Sequence, residues 1–233
     1  MNSPVSVIES LLRSSDAVRW LFYGDSITHG AQHTLGKRDF SELFREHVIW
    51  ELKRQNDLVL NAAYSGYTLR ELIREFDFRA GAFRPHAAFV MIGTNDCVKY
   101  PRNEFEKNLY CLLEKFNSIQ CKLILQTPLP LISELDPVRA ENLQYYPDMI
   151  SHFAEKNHVA LIDHWRMWNR ISKQERYYLM SDPVHPNEMG HLLIAQKIFR
   201  DLHCFSGKYP VCRMQPGAVS EHIFEQDEER SKV

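Results

Sequence analysis

Five short apolar runs, each separated from the next by a segment of helical periodicity, restrict this chain to a small set of architectures. The runs are Val18 to Tyr23, Leu58 to Asn61, His86 to Ile92, Lys122 to Gln126 and Val159 to Ile162. Each is nearly all apolar rather than alternating, the pattern of parallel strands covered on both faces. Strands of this kind interleaved with helices predict an α/β fold, with a five-stranded parallel sheet as the middle layer of a three-layer α/β/α sandwich.

Helices are expected over Val5 to Leu12, Phe40 to Asn56, Leu69 to Phe76, Val138 to Asn157 and Asn187 to Leu202, with Pro147 kinking or splitting the fourth. Thr68 with Glu71 forms a capping-box pattern, and Asn103 with Glu106 repeats it before a further helix. In that helix Phe105, Leu109, Leu112, Leu113 and Phe116 make one apolar stripe to lie on the sheet. Beyond Phe205 the pattern stops. The chain therefore reads as one domain over 1–205 and a tail over 206–233, whose end from Ser220 is polar and mostly acidic, expected to be disordered or to order against a partner.

With 28 basic and 30 acidic residues among 233, there is no basic field to hold nucleic acid or an anionic membrane. No apolar run reaches the roughly 18 to 20 residues of a membrane span, and the N-terminus lacks the pattern of a secretory leader, so a cytoplasmic protein is expected. The five cysteines are odd in number and never form a CxxC pair, which reads as reduced thiols.

The chemistry sits where strands end. The first run leads into Gly24, Asp25 and Ser26, which puts a serine at the carboxyl end of a parallel strand, where open α/β sheets bind ligands. A serine needs a base. Asp182 and His185 supply the pattern, since a spacing of three lets a carboxylate reach the imidazole Nδ1–H and leaves Nε2 free to accept a proton. A lone DxxH is expected in roughly a third of chains of this length, so its weight comes from two further loops. One contains Gly66 and the other Asn95, and with the Ser26 N–H they would give three donors to an oxyanion. Asp25 and Asp96 are expected to tie loops to backbone N–H groups. His29 and His33 either line the pocket or pack a loop. Tyr64, Tyr67, Trp165 and Trp168 are candidates to stack on a sugar ring.

The blocks GDSIT with Ser26, SGYT with Gly66, GTND with Asn95 and DPVH with Asp182 and His185 resemble the four blocks of the SGNH hydrolases, also called GDSL esterases and lipases. The resemblance spans about residues 18 to 202, and its motifs look most like those of bacterial carbohydrate acetyl esterases. It implies a flavodoxin-like fold, a catalytic set of Ser26, Asp182 and His185, an oxyanion hole of Ser26, Gly66 and Asn95, and no cofactor. His29, Tyr64 and Tyr67 are the expected substrate-binding residues. No metal is expected, because His185 and His191 stand six apart rather than at the i, i+4 spacing of a zinc helix. The expected activity is serine carboxylic-ester hydrolysis, with an acetylated sugar or other small acetyl ester as substrate and a second copy of the chain as the protein partner considered. An acyltransferase, thioesterase or lysophospholipase would use the same residues, and a catalytically silent binding or scaffold protein is the reading from another class.

Overall fold

The apolar runs become strands β1 (Arg19–Gly24), β2 (Leu58–Asn61), β3 (Ala87–Met91), β4 (Lys122–Gln126) and β5 (Ala160–Ile162) in the computed structural model, which describes residues 4–216 and Ile223. All pair in parallel, in the order β2-β1-β3-β4-β5. Winding from β1 goes outward to β2 and then reverses to β3, so the topological switch point lies between β1 and β3.

Helices cover both faces because successive strand residues point to opposite sides. Trp20 and Phe22 join Phe89 and Met91 under α1 (Pro4–Arg13), α3 (Phe40–Glu46) and α12 (Glu188–Asp201). Leu21 and Tyr23 join Ala88 and Val90 under α4 (Leu69–Arg74), α7 (Arg102–Ser118) and α9 (Tyr146–Lys156). At the centre Phe22 and Phe89 are register partners, and their rings stack at 4.8 Å. The remaining helices are short: α2 (Ser26–His29), α5 (Phe76–Arg79), α6 (Asp96–Lys99), α8 (Pro137–Leu143), α10 (His164–Trp168), α11 (Lys173–Tyr178) and α13 (Pro210–Arg213). No helix among the described residues is long and apolar enough to cross a membrane.

The helical expectations are corrected in three places. The helix expected over Phe40 to Asn56 ends its α-geometry at Glu46, passes into a π-helical turn over His47–Glu51, and stops before Lys53, which has φ of 63°. The helix expected over Leu69 to Phe76 ends at Arg74, and Phe76 opens α5. Asn103 caps nothing: Pro101 is the N-cap of α7, so Asn103 falls inside its first turn. By contrast the capping box at Thr68 forms, the Thr68 side chain accepting from the Glu71 N–H and the Glu71 carboxylate accepting from the Thr68 N–H (2.8 Å). The segment around Pro147 divides into α8 and α9, with the proline in the first turn of α9, where its missing N–H costs nothing.

Of the segment beyond Phe205, residues 206–216 pack onto the body. Val211 and Cys212 are buried, the Val211 N–H donates to Glu51 (2.8 Å), and Gln196 Nε2 donates to the Met214 carbonyl (2.7 Å). The acidic stretch from Ser220 lies outside the described residues apart from Ile223.

Near the start of α12, Gly190 lets the helix lie against the loop that carries His185. A Cβ there would meet the Leu179 carbonyl oxygen at 2.4 Å and Pro186 Cβ at 2.6 Å, neither of which can swing aside. Gly190→Ala should therefore destabilise the fold by about 1 to 3 kcal/mol, the usual cost of overpacking, read as a lowered midpoint in denaturant unfolding.

Candidate active site

Three loops leave the carboxyl ends of adjacent strands and meet a fourth from before α12. After β1, Asp25 is the N-cap of α2 and accepts from the Ile27 N–H (3.0 Å), which makes Ser26 the first helical residue. A residue at that position has an N–H with no partner in its own helix. Ser26 is 8% exposed, so its hydroxyl sits at the floor of the site.

The second loop turns at Tyr64 to Tyr67, where the Tyr67 N–H donates to the Tyr64 carbonyl (3.2 Å). Gly66 occupies the third position with φ of 81°, a conformation glycine adopts without Cβ strain, and its N–H takes no part in the turn's own bond. The third loop carries Asn95, whose Nδ2 donates to the Tyr67 carbonyl (2.9 Å) and keeps a second N–H on the same amide. Two further bonds join these loops: the Leu69 N–H donates to Asp96 Oδ1 (2.9 Å) and Lys99 Nζ to the Gly66 carbonyl (2.7 Å).

In the fourth loop the Ser181 N–H donates to the His185 carbonyl (2.8 Å), closing a tight turn. Asp182 Oδ1 accepts from the N–H groups of Val184 and His185 (2.8 Å each), and both its oxygens lie within 2.9 Å of His185 Nδ1. A carboxylate only accepts, so Nδ1 carries the proton and Nε2 presents its lone pair. Ser26 Oγ lies 2.8 Å from that Nε2 across 159 residues of sequence, so the serine hydroxyl donates to the imidazole. The arrangement can remove a proton from the Ser26 hydroxyl.

Of the expected substrate-binding residues, Tyr64 is 48% exposed, stacks on His29 (5.9 Å) and meets Tyr67 at a tilt of 42° (4.8 Å), with the Arg79 guanidinium over both tyrosines. His29 Nδ1 lies 3.0 Å from Ser65 Oγ, and the Tyr67 hydroxyl donates to Glu75. Trp168 is fully buried in the core and is corrected as a sugar platform, while Trp165 is half-buried and packs against the α7 face of the sheet. His33, left open by the sequence, lies face to face with His185. Among the described residues two sets of three side chains bring metal-ligating atoms together, His33 with Asp182 and His185, and His47 with Glu51 and Cys212. In each set a histidine and a carboxylate already engage one another, His47 Nδ1 lying 2.6 Å from Glu51 Oε2 and His185 Nδ1 2.8 Å from Asp182 Oδ2.

The model of the GDSL-like Lipase/Acylhydrolase family matches residues 22–193 of the chain. An acetylxylan esterase of Geobacillus stearothermophilus is 26% identical over 204 residues, covering 78% of this chain and 92% of that protein. Among solved structures, an alpha/beta hydrolase enzyme from the metagenome of Lake Arreo, Spain, superposes with a TM-score of 0.70 at 23% identity, over 84% of this chain and all of that one. The crystal structure of an acetylxylan esterase from Geobacillus stearothermophilus gives 0.63 at 23% identity, over 79% and 94%.

Charge around the site is set by burial. Partial burial works to raise the Asp182 carboxyl, but hydrogen bonds from Val184, from the His185 backbone and from the His185 ring outweigh it and hold the group below the ordinary carboxylate value. Asp25 and Asp96 go the other way. Burial pushes each up to about 7 against the pull of a single N–H donor, and Oδ2 of each has no partner among the described residues. A carboxyl that titrates near 7 when folded, against an ordinary 3.8, holds through that interval a proton the unfolded chain has released. Its stabilising contribution is whole below 3.8 and is lost as pH rises toward 7. The midpoint of thermal unfolding should accordingly fall less between about pH 4 and pH 7 in Asp96→Asn than in the unsubstituted chain.

Proposed function

The chain belongs to the GDSL-like lipase/acylhydrolase family and is a carboxylic ester hydrolase, and on that premise we propose that it removes acetyl groups from a carbohydrate or another small ester through an acyl-enzyme on Ser26. The observation that carries this reading is the unbroken contact from Asp182 through His185 to the Ser26 hydroxyl.

In this mechanism Ser26 Oγ attacks the ester carbonyl carbon while His185 Nε2 takes the hydroxyl proton, a transfer that contributes about 10² to 10⁴ in rate. Asp182 holds the tautomer that makes Nε2 the acceptor and balances the imidazolium that forms. The charge on the former carbonyl oxygen falls to the N–H groups of Ser26 and Gly66 and the second N–H of Asn95, each such donor being worth about 3 to 4 kcal/mol. Collapse of the tetrahedral species breaks the bond to the alcohol, which leaves with the proton from His185. A water then gives its proton to the same nitrogen as it attacks the acyl-serine, and the acid departs as Ser26 regains its hydrogen.

A carbohydrate acetyl ester is favoured by the acetylxylan esterase relative and by the exposed wall of Tyr64 and His29 beside Gly66, which offers a flat face with polar edges of the kind that meets a sugar ring.

Ser26→Ala should abolish turnover of an aryl acetate and covalent labelling by an organophosphonate while leaving the fold intact. Asn95→Ala should lower kcat by about 10² to 10³ without a comparable rise in KM, and wild-type kcat in that variant would remove Asn95 from the oxyanion site. On a panel of acetyl, butyryl and octanoyl aryl esters with acetylated xylo-oligosaccharides, kcat/KM should be highest for the acetyl compounds. A preference for octanoate would overturn the substrate assignment.

A further inference from the structure

Between α2 and α3 the chain makes an excursion that neither helix requires. Gly30 and Gly36 adopt φ of 70° and 78°, and so do two residues with side chains in the same loop, Gln32 at 70° and Leu35 at 52°. Left-handed backbone at non-glycine positions persists only where the surroundings fix it. Leu35 is 78% exposed, so its own packing is no reason for the conformation.

What the loop does accomplish is to carry His33 onto the segment that holds the base. The imidazole of His33 lies on that of His185 with ring centroids 3.6 Å apart and planes 5° from parallel. Its Nδ1 is 3.4 Å from Asp182 Oδ2, and its backbone carbonyl accepts from the Ser181 hydroxyl at 2.6 Å. Three contacts thus join the loop that follows the nucleophile to the turn that presents the base.

We propose that His33 is a positioning residue for the reaction, a flat clamp that holds the His185 imidazole in the plane containing Asp182 and Ser26. The inference rests on the roles given above to Ser26, Asp182 and His185. Its physical basis is that the two hydrogen bonds of His185 lie at its ring edge. They fix the line joining Nδ1 and Nε2, but leave the ring free to tilt about that line. A second ring at van der Waals distance blocks the tilt and keeps water off one face, so the Nε2 lone pair stays aimed at Oγ. The clamp must be uncharged when His185 becomes imidazolium, since two cations at 3.6 Å would repel. Burial, with His185 itself adding to the effect against the opposing Asp182, holds His33 below the ordinary histidine value. The other titratable group coupled to both rings is His191 on α12, driven down to about 3 by burial.

The test compares His33→Ala and His33→Phe with the wild-type full chain, using an aryl acetate for kinetics and the downfield Nδ1 proton resonance of His185 for geometry. His33→Ala should lose about tenfold to hundredfold in kcat with KM changed by less than about twofold, and its resonance should broaden by exchange with water. His33→Phe keeps a flat face without the ring nitrogens, and should recover kcat to within about threefold of wild type together with the resonance. The proposal fails if the alanine variant keeps wild-type kcat and a sharp resonance, if KM alone moves, or if the phenylalanine variant folds yet stays as slow as alanine. Should the wild type release no acetate, the functional reading falls, and the resonance, which needs no substrate, still decides the clamp: its loss in alanine upholds it and its persistence overturns it.

Discussion

The pairing of β1 with β3 is the contact on which the remainder of the molecule depends. Because the winding reverses between these two strands, the loops after them leave the sheet side by side and diverge to opposite faces, opening the crevice that parallel sheets use for ligands. The pair is held by burial on both faces, with the Phe22 and Phe89 rings stacked at its centre, and the serine and asparagine loops begin one or a few residues beyond it. A slip of one residue between the strands would turn the aromatic layer inside out and misplace Ser26 against Asn95 together.

Electrostatics in the crevice follows from depth. Asp182, partly exposed and served by three donors, keeps its charge, whereas Asp25 and Asp96, lodged beneath the loops with one donor each, are driven toward neutrality. In the mechanism proposed above, a full negative charge near the developing oxyanion would oppose its formation, and burial lessens the opposition. Two acidic residues that flank Ser26 and Asn95 therefore contribute shape to the loops while adding less charge than the sequence suggests.

Much of this was legible beforehand because it is local. Strand ends agree with the apolar runs to within a residue, since burial on both faces writes itself directly into composition. The capping box at Thr68 was legible for the same reason, while the similar signal at Asn103 lost to Pro101, whose fixed φ opens the helix two residues earlier. Trp168 looked like a surface platform because a tryptophan's type does not reveal its depth. The stack of His33 on His185 joins positions 152 apart through a loop with four left-handed residues, and no periodicity announces such a meeting.

The loop bearing Gly66 springs from β2, one of the two edge strands and the least covered of the five. Left to that strand alone, it would share the fraying expected of a sheet margin. Three bonds from the segment Asn95 to Lys99 moor it instead to the third loop, which grows out of the sheet's interior. The outermost strand can therefore breathe while the amide of Gly66 keeps station with Asn95, so that stiffness at this site is borrowed from a neighbour instead of being supplied by the strand that leads to it.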